Sequence, residues 1–349
     1  MFTLDLMLGI KVKKQYAQKV KNYLSARTLL NNNYNVISSN YFIYFPIKTV
    51  NREELHILEK SFDATLVEKT FDKITSKKNY KEILKKQLGK DYEKAPRGFE
   101  VLGNIAIIDC ERSISKGIAS SIMSVNTNIK TVIRKAGAVK GRYRKREYEY
   151  VSGVKTYIVS YKENGALLRF DVRDTFFSTR LAYERKRISE LSKKPENVIV
   201  MFAGVGPFAI ELAMHNKNAN VIAIEINKKA TEYMKKNILL NKVKNVKAIS
   251  GDVKRKAVIY KNFADRIIMP LPKDSISFLD TVCKVASKNC IVHYYAFVDI
   301  NMGLEKLINE LKMYFHKKGF KFKVVFSRTV RPYSPEVIEI VLDFKITRK

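Results

Sequence analysis

Two glycines and two carboxylates in the second half of the chain have the types and the spacing needed to hold a nucleoside. Gly204 and Gly206 lie at the end of the apolar run VIVMFA, and a glycine turn lets a ligand approach backbone N–H groups because no Cβ is in the way. Glu225 ends a second β-rich run, VIAIE, and Asp252 follows a third, VKAIS. The first acid can accept from both hydroxyls of a ribose, and the second can hold an adenine edge.

The nucleoside that suits this pattern is S-adenosylmethionine rather than a dinucleotide. Pro207 follows the second glycine, so the G-x-G-x-x-G fingerprint of dinucleotide sites is broken. Acids after both the second and the third strand also favour S-adenosylmethionine over NAD. Taken alone, the glycine pair is equally consistent with a tight turn in any α/β domain. The combination predicts a methyltransferase-type core.

These residues need an α/β scaffold in which they follow the ends of neighbouring strands. From residue 197 onward, β-rich runs alternate with helical runs, and the chain closes with the β-rich runs FKVVFSRTV and EVIEIVLDFKI. That order predicts a mostly parallel sheet with an antiparallel strand at one side. Further upstream, Glu163-Asn164-Gly165 separates two β-rich runs and predicts a hairpin.

The charge balance of the 349-residue chain indicates a polyanionic partner. Lys and Arg number 66 against 34 Asp and Glu, a formal net charge of +32, and nucleic acid is the first candidate. A lysine-rich proteome or adaptation to heat is the alternative explanation for part of this excess.

Basic residues cluster between 130 and 146, with Tyr143 and Tyr148 interleaved as on surfaces that stack bases. A solvated strand face is the alternative for any one of them. The predicted RNA-binding residues are Lys130, Arg134, Lys135, Lys140, Arg142, Lys145 and Arg146.

Other features of the composition argue against several classes of protein. Cys110, Cys283 and Cys290 are odd in number and widely spaced, which argues against a disulfide framework and a zinc site. No run approaches the roughly 18 apolar residues of a membrane span, and the first residues lack the charge order of a secretory signal. We expect a cytoplasmic, metal-free protein that works as a monomer.

Changes of pattern along the chain predict three domains. Residues 1–72 predict a small α+β domain, followed by the polar linker KITSKKN at 73–79. Residues 80–168 predict a second α+β domain, which contains the basic run. Residues 169–349 predict the methyltransferase domain, which contains the glycine turn.

Taken in order, the motifs of the chain resemble those of the archaeal and eukaryotic tRNA (guanine-37, N1)-methyltransferases, whose archaeal members include bifunctional wyosine-pathway enzymes. The resemblance covers nearly the whole chain and rests on NYFIYFPIK, VKGRYRKRE, YKENG, FFSTRLAYER, MFAGVGPF, AIEIN, SGDV, MPLPK, IVHYY and LDFKI. It implies a class I methyltransferase domain with a Rossmann-like, seven-stranded sheet, preceded by two smaller RNA-binding domains, the first of which touches the tRNA body. It further implies S-adenosylmethionine as cofactor, tRNA as partner, and methyl transfer to N1 of guanine 37.

The resemblance also implies roles by position. Glu184 matches the general base, and Arg144 matches the arginine that stabilises the reacting guanine. Arg180 begins the RL-x-x-ER motif, and Pro272 belongs to the loop that shapes the base pocket. The positions that match the cofactor site are Met201, Phe202, Gly204, Gly206, Glu225, Ile226, Asp252, Val253 and Pro270.

The chemistry of guanine explains why an acid and an arginine would be needed. N1 carries a proton and is a poor nucleophile until a positioned carboxylate, its pKa raised by partial burial, removes that proton. Negative charge then spreads to O6, where a guanidinium can stabilise it. For Glu184 the alternative is a salt bridge on the helix surface with Arg180 or Lys186. For Arg144 the alternative is a phosphate contact.

Several positions depart from the family pattern. Val200 stands where an Asp is common, Phe176 where a Tyr is familiar and Thr179 where a Pro is. Pro270 replaces an Asn that touches the target base in the family, which bears on base choice and allows methylation of the tricyclic wyosine precursor as a second activity. The alternatives to guanine methylation are aminocarboxypropyl transfer in the wyosine pathway and a non-catalytic tRNA-binding protein.

Overall fold

The computed structural model describes residues 4–73, 80–137 and 146–349. The chain forms two compact units, residues 1–83 and 84–349. Over the described ranges, no helix is both long enough and apolar enough to cross a bilayer.

The first unit is a four-stranded sheet, among the residues described, with two helices packed on one face. Alternate residues of the long first strand, such as Ile10 and Val12, share a core with Leu24 and Leu58 of the helices, as the two-residue period of a strand requires. The sheet order is β2-β3-β1-β4. Its elements are β1 (Leu4–Lys13), α1 (Ala17–Ala26), β2 (Ile37–Ser38), β3 (Phe42–Pro46), α2 (Arg52–Phe62) and β4 (Thr65–Asp72).

The second unit begins with a small sheet, which in its described residues has the order β5-β6-β7-β8. A crossover helix joins β6 to the parallel strand β7. At Gly103, where φ is +59°, an added Cβ would lie 2.0 Å from the carbonyl oxygen of Ser160, so the β5–β6 turn packs directly on the next hairpin. The elements are α3 (Tyr80–Leu88), within which the two units divide, β5 (Glu100–Leu102), β6 (Ile105–Ile108), α4 (Arg112–Val125), β7 (Thr131–Lys135) and β8 (Tyr148–Gly153).

A separate hairpin, β9 (Ile158–Glu163) and β10 (Ala166–Asp171), confirms the turn predicted at Asn164-Gly165. Both turn residues have positive φ, +46° and +88°, as a two-residue hairpin of type I′ requires. Two asparagine side chains, one in α7 (Lys228–Leu240) and one directly after it, bond the open edge of β10. Asn241, which follows α7, bonds both the N–H and the carbonyl of Leu167, at 2.8 and 2.7 Å. Asn237 accepts from the N–H of Arg169 at 2.8 Å. The domain boundary expected between residues 168 and 169 falls inside β10.

In residues 197–348 a seven-stranded sheet has the order β13-β12-β11-β14-β15-β17-β16. The first five strands of that order run parallel, and β17 is antiparallel to both of its neighbours. The predicted mostly parallel sheet with an antiparallel strand at one side is therefore confirmed. The strands are β11 (Asn197–Met201), β12 (Asn220–Glu225), β13 (Val246–Ser250), β14 (Ala264–Met269), β15 (Ala286–Asp299), β16 (Phe320–Pro332) and β17 (Val337–Arg348).

Helices cover both faces of this sheet because its central strands are apolar on both sides. Val198 and Val200 belong to one core with helices α5 to α7, whereas Ile199 and Met201 belong to the other with helices α8 to α10. Chain order reverses between β11 and β14, and ligands of open α/β sheets bind at the carboxyl ends of the strands beside such a point. The remaining helices are α5 (Ala182–Leu191), α6 (Pro207–His215), α8 (Val253–Lys256), α9 (Leu279–Val285) and α10 (Gly303–Lys317).

Candidate active site

Glu225 organises the carboxyl edge of the sheet. It ends β12 and is 8% exposed, and its two carboxylate oxygens accept from the backbone N–H groups of Gly204 at 2.8 Å and Asn227 at 2.7 Å. Burial raises its pKa, while these backbone hydrogen bonds oppose the rise. A carboxylate has about four lone-pair sites, so Glu225 can still accept from a ribose hydroxyl.

The two glycines serve different purposes. At Gly206, where φ is +93°, an added Cβ would lie 2.8 Å from Cγ of Met234, so this glycine allows α6 to pack tightly. At Gly204, where φ is +58°, the nearest atom to an added Cβ is the carbonyl oxygen of Phe176 at 3.9 Å. The open side of Gly204 is a cradle that an adenosyl group fits, since its rim carries the acid of Glu225 and has no side chain of its own.

The other predicted cofactor residues differ in their surroundings. Phe202 has φ of +57°, a strained conformation for a bulky residue, and its ring packs edge-on against Phe278 at 4.6 Å between centroids. Asp252 accepts from the N–H of Lys254 at 2.9 Å and so begins α8. Met201 and Val253 are buried in the core below the edge, and only their backbones can reach a ligand. Ile226 and Pro270 are partly exposed at the ends of β12 and β14.

Glu184 lies in α5 with 1% of its surface exposed. Its Oε2 accepts from Nε and Nη2 of Arg187 at 2.9 and 2.8 Å, and from the hydroxyl of Tyr295 at 3.4 Å. Its Oε1 accepts from Nη1 of Arg328 at 3.0 Å. The alternative of a surface salt bridge with Arg180 or Lys186 is therefore wrong: the helix turns Glu184 inward, and its partners come from α5, β15 and β16.

Arg187 joins Glu184 to a buried chain of charges. Its Nη1 donates to Oδ2 of Asp343 at 2.6 Å. Burial alone would lower the pKa of Arg187, but the hydrogen bonds to Asp343 and Glu184 raise it. Asp343 also accepts from Nδ1 of His293 at 2.7 Å, and Nε2 of His293 lies 2.7 Å from Nη1 of Arg266.

The protonation of this chain follows from its donors. A guanidinium has no acceptor, so Nε2 of His293 accepts from Arg266 and Nδ1 carries the proton given to Asp343. Burial lowers the pKa of His293, which is consistent with a neutral ring. The hydrogen bond from His293 and the charge of Arg187 outweigh burial and lower the pKa of Asp343. Glu184 is therefore held in position by Arg187, whose second partner, Asp343, is itself hydrogen-bonded to His293.

A second buried cluster lies behind the same helix. Arg185, 2% exposed, donates to Glu163 of the β9–β10 hairpin and lies 3.5 Å from Glu211 of α6. Asn164 donates to the other oxygen of Glu211 at 2.7 Å. Burial, and then the hydrogen bond with Glu163, raises the pKa of Glu211 to about 8. The cluster ties the hairpin, α5 and α6 together.

Sequence reasoning missed Arg185, Arg187, Arg328 and Tyr295. One signal was available: the run AYERKRISEL is poor in apolar residues, although its helix lies next to a core. Such a helix must bury some of its charges, and buried charges require partners. The neighbouring sequence does not show which residues those partners are.

Pro272 and Arg180 are the other predicted catalytic residues in the described part of the chain. The carbonyl of Pro272 accepts from the N–H of Phe297 at 3.4 Å, two residues beyond Tyr295 on β15. Arg180 is exposed in the single turn that leads into α5. Arg144, the fourth, lies outside the described residues.

The predicted RNA-binding run is partly described. Arg134 donates to Glu149 at 2.7 Å and to two backbone carbonyls, so its guanidinium is engaged within the protein. Lys135 pairs with Asp109 at 3.2 Å. The side chain of Lys130 is exposed and donates to the carbonyl of Thr127, and Arg146 is partly exposed. Lys140, Arg142 and Lys145 lie outside the described residues.

Comparison with known proteins identifies the family. Residues 159–325 match the TRM5/TYW2 methyltransferase domain, residues 80–156 the TYW2 N-terminal domain, and residues 9–55 the tRNA methyltransferase 5 N-terminal domain. The tRNA (guanine(37)-N(1))-methyltransferase Trm5b of Methanocaldococcus jannaschii is 33% identical over 350 residues, covering 98% of this chain and 99% of that protein. The chain belongs to the TRM5/TYW2 methyltransferase family.

Solved structures of the family agree with the fold. Trm5b of Pyrococcus abyssi is 37% identical over 255 residues, covering 72% of this chain and 76% of that protein. Its crystal structure superimposes with a TM-score of 0.71, covering 98% of this chain and 99% of that chain, at 32% identity. The structure of TYW2 from M. jannaschii in complex with AdoMet, 28% identical, covers 72% of this chain and 100% of that chain with a TM-score of 0.59. The expected class I architecture is confirmed.

Proposed function

We propose that this TRM5/TYW2 family member transfers a methyl group from S-adenosylmethionine to N1 of guanine 37 in tRNA. The cradle formed by Gly204, Glu225 and Asp252 holds the cofactor, which supplies an electrophilic methyl group when bound. The two Trm5b relatives bear the name of this activity and match this chain over most of their length.

The proposal rests on one observation, the buried carboxylate of Glu184. A buried carboxylate whose Oε1 has a spare lone pair can accept the N1 proton, and its hydrogen bond from Tyr295 of β15 supports a position at the carboxyl edge of the sheet. The lone pair that remains on N1 would then accept the methyl group, whose bond to the sulfonium sulfur of the cofactor would break as the bond to N1 forms. General-base assistance of this kind contributes roughly 10²–10⁴-fold to a rate. Arg144 and Arg180 serve the reacting base, and the predicted basic run supplies phosphate contacts to the tRNA, which position it without reading sequence.

The proposal extends to the organisation of the protein. Domains 1–72, 80–168 and 169–349 divide the work between recognition of the tRNA body, RNA binding and chemistry. The enzyme acts in the cytoplasm as a monomer without a metal ion. In the described residues, no group of three or more His, Cys, Asp or Glu side chains is arranged to hold a metal.

Incubation with methyl-labelled S-adenosylmethionine and unmodified tRNA tests the proposal directly. Digestion of the product should give labelled 1-methylguanosine from position 37, and tRNA with adenine at position 37 should stay unlabelled. Label at another nucleoside, or none, would contradict the assignment.

A second candidate is aminocarboxypropyl transfer in the wyosine pathway, because residues 80–156 match the TYW2 N-terminal domain. Cofactor labelled in the aminocarboxypropyl group, incubated with tRNA carrying the tricyclic precursor, separates the two. Methyl transfer to that same precursor would reveal the second methylation that Pro270 allows.

A further inference from the structure

The two oxygens of the Glu184 carboxylate are bonded unequally. A carboxylate oxygen has two lone pairs for hydrogen bonds. Oε2 receives two N–H groups of Arg187 and the hydroxyl of Tyr295, so it is saturated. Among the described residues, Oε1 receives a single bond, from Nη1 of Arg328. If Glu184 takes the N1 proton, Oε1 is therefore the accepting atom.

Arg328 differs from Arg187 in how firmly it is held. The side chain of Arg187 is 13% exposed, bonds to two carboxylates and lies under the ring of Phe326 at 4.5 Å. The side chain of Arg328 is 38% exposed and bonds to Glu184. Its guanidinium stacks on the ring of Tyr183 at 4.0 Å, and Tyr183 is itself 58% exposed. The guanidinium of Arg328 thus lies on the side of the Glu184 carboxylate that faces solvent.

The edge strand is shaped to bring this side chain inward. Strand β16 has register irregularities between Val324 and Phe326 and between Thr329 and Arg331. Bulges re-aim side chains and are common at sheet edges beside active sites. Both Phe326 and Arg328 lie in the segment between these irregularities and contact charged residues of α5. The family match ends at residue 325, so it does not include Arg328.

We propose that Arg328 is a positioning residue for methyl transfer, which holds Oε1 of Glu184 toward the target base while leaving one lone pair of that oxygen for the N1 proton. This inference rests on the proposed function. The proton passes from N1 to Oε1, and Arg328 keeps its hydrogen bond throughout. Arg187 and Tyr295 fix the other oxygen, so the carboxylate cannot rotate when the base enters.

Single-turnover methylation of saturating tRNA tests this role with Arg328→Gln, Arg328→Lys and the control Lys323→Gln. Lys323 lies exposed on the same strand, so its replacement removes one charge without touching Glu184. We expect Arg328→Gln to slow the saturated rate about tenfold, the order of one charge-assisted hydrogen bond, while the dissociation constant for tRNA changes as little as in the control. Arg328→Lys should recover most of the rate because it keeps the cation.

The split between rate and affinity provides a readout that a purely structural role would not move. Among the described residues, the groups facing Glu184 are Arg187 on its own helix, Tyr295 on β15 and Arg328 on β16, with Asp343 of β17 behind Arg187. Because Arg187 and Tyr295 keep the carboxylate in place, Arg328→Gln should lower the saturated rate while the affinities for S-adenosylmethionine and tRNA stay unchanged. A wild-type saturated rate in Arg328→Gln would overturn the inference.

A double-mutant cycle with Glu184→Gln separates this inference from the proposed function. If Arg328 acts through Oε1, adding Arg328→Gln to Glu184→Gln should slow the reaction no further. Equal slowing in both backgrounds, or a weaker tRNA affinity with an intact saturated rate, would make Arg328 an RNA contact and overturn the inference alone. A wild-type enzyme that leaves guanine 37 unmethylated would overturn the proposed function instead.

Discussion

The cofactor edge and the Glu184 cluster are built in opposite ways. At the edge, the carboxylate of Glu225 is held by backbone N–H groups from two turns, and the surrounding residues lie in short segments that follow strands. Around Glu184, polar side chains from α5, β15, β16 and β17 meet in a row that is buried except at Arg328. One site depends on backbone conformation, whereas the other depends on pairs of charges brought from far apart.

The difference has an energetic meaning. A backbone donor is in place whenever the turn is folded, so the edge loses little when a neighbouring side chain changes. A buried ion pair is costly to break, because removal of one partner leaves the other charged and unpaired. The edge should therefore respond to mutation in ligand affinity, and the cluster in rate and in stability.

The largest expected effect is on the chemical step. Glu184→Gln should lower the saturated single-turnover rate by roughly 10²–10⁴-fold, since the amide cannot take the N1 proton, while affinity for S-adenosylmethionine stays unchanged. Glu190→Gln, on the exposed side of the same helix, is the matched control. A near-normal rate in Glu184→Gln would mean that Glu184 and its partners have only a structural role.

Arg187→Met should produce the next largest change, and it should appear in stability. The substitution leaves Glu184 and Asp343 buried without their shared cation, which costs about 3–5 kcal/mol in the free energy of unfolding. Arg328→Gln, at the exposed end of the row, should cost less than about 1 kcal/mol. Urea unfolding followed by circular dichroism measures both, and equal losses would mean that the row is not graded from inside to outside.

Glu225→Gln tests the cofactor edge. The amide keeps one acceptor oxygen and the shape of the side chain, but a buried ribose loses its charged acceptor, so S-adenosylmethionine affinity should fall by about 1–3 kcal/mol. Calorimetric titration compares this variant with Glu232→Gln, which removes an exposed acid of α7. Unchanged affinity would mean that the cofactor binds away from the carboxyl end of β12.

The last expected effect is on the pH dependence of stability, and it comes from Glu211→Gln in the Arg185 cluster. The pKa of Glu211 is raised from 4.5 to about 8 in the folded protein, so the folded state binds a proton that the unfolded state has lost. Its contribution to stability is full below about pH 4.5 and is lost as the pH rises to about 8. The variant should lose less stability than wild type between pH 5 and pH 8 in urea titrations. Parallel losses would show that Glu211 is ionised throughout that range.

How far the sequence could predict these two regions follows from their construction. The edge was predictable because glycine turns and acids directly after β-rich runs are local patterns, and strand alternation alone gave the parallel sheet. The partners of Glu184 and Arg187 were not, because Tyr295, Arg328 and Asp343 lie more than a hundred positions away from α5 in sequence. Only the register of β15, β16 and β17 brings them to one helix.

Glu184 itself was predicted only through the family resemblance. The local pattern predicted a surface salt bridge for it, whereas the side chain is buried. The neighbours that a helix offers to Glu184 at three or four positions are Arg180, Leu181, Arg187 and Ile188. No periodicity distinguishes a partner that is buried from one that is exposed. Arg185 was overlooked for the same reason: its importance comes from Glu163 and Glu211, which other elements supply.

Asn237 and Asn241 have a consequence for the solubility of the protein. Their side-chain amides occupy the backbone groups of Leu167 and Arg169 that a neighbouring strand would otherwise use. An unpaired strand edge is a template on which another chain can add and aggregate. The two asparagines are four residues apart, or about one helical turn, and they bond strand residues that are two positions apart. Their side chains therefore block that template, although no strand is added. Replacing both with leucine should leave the edge open and make the protein prone to self-association on heating.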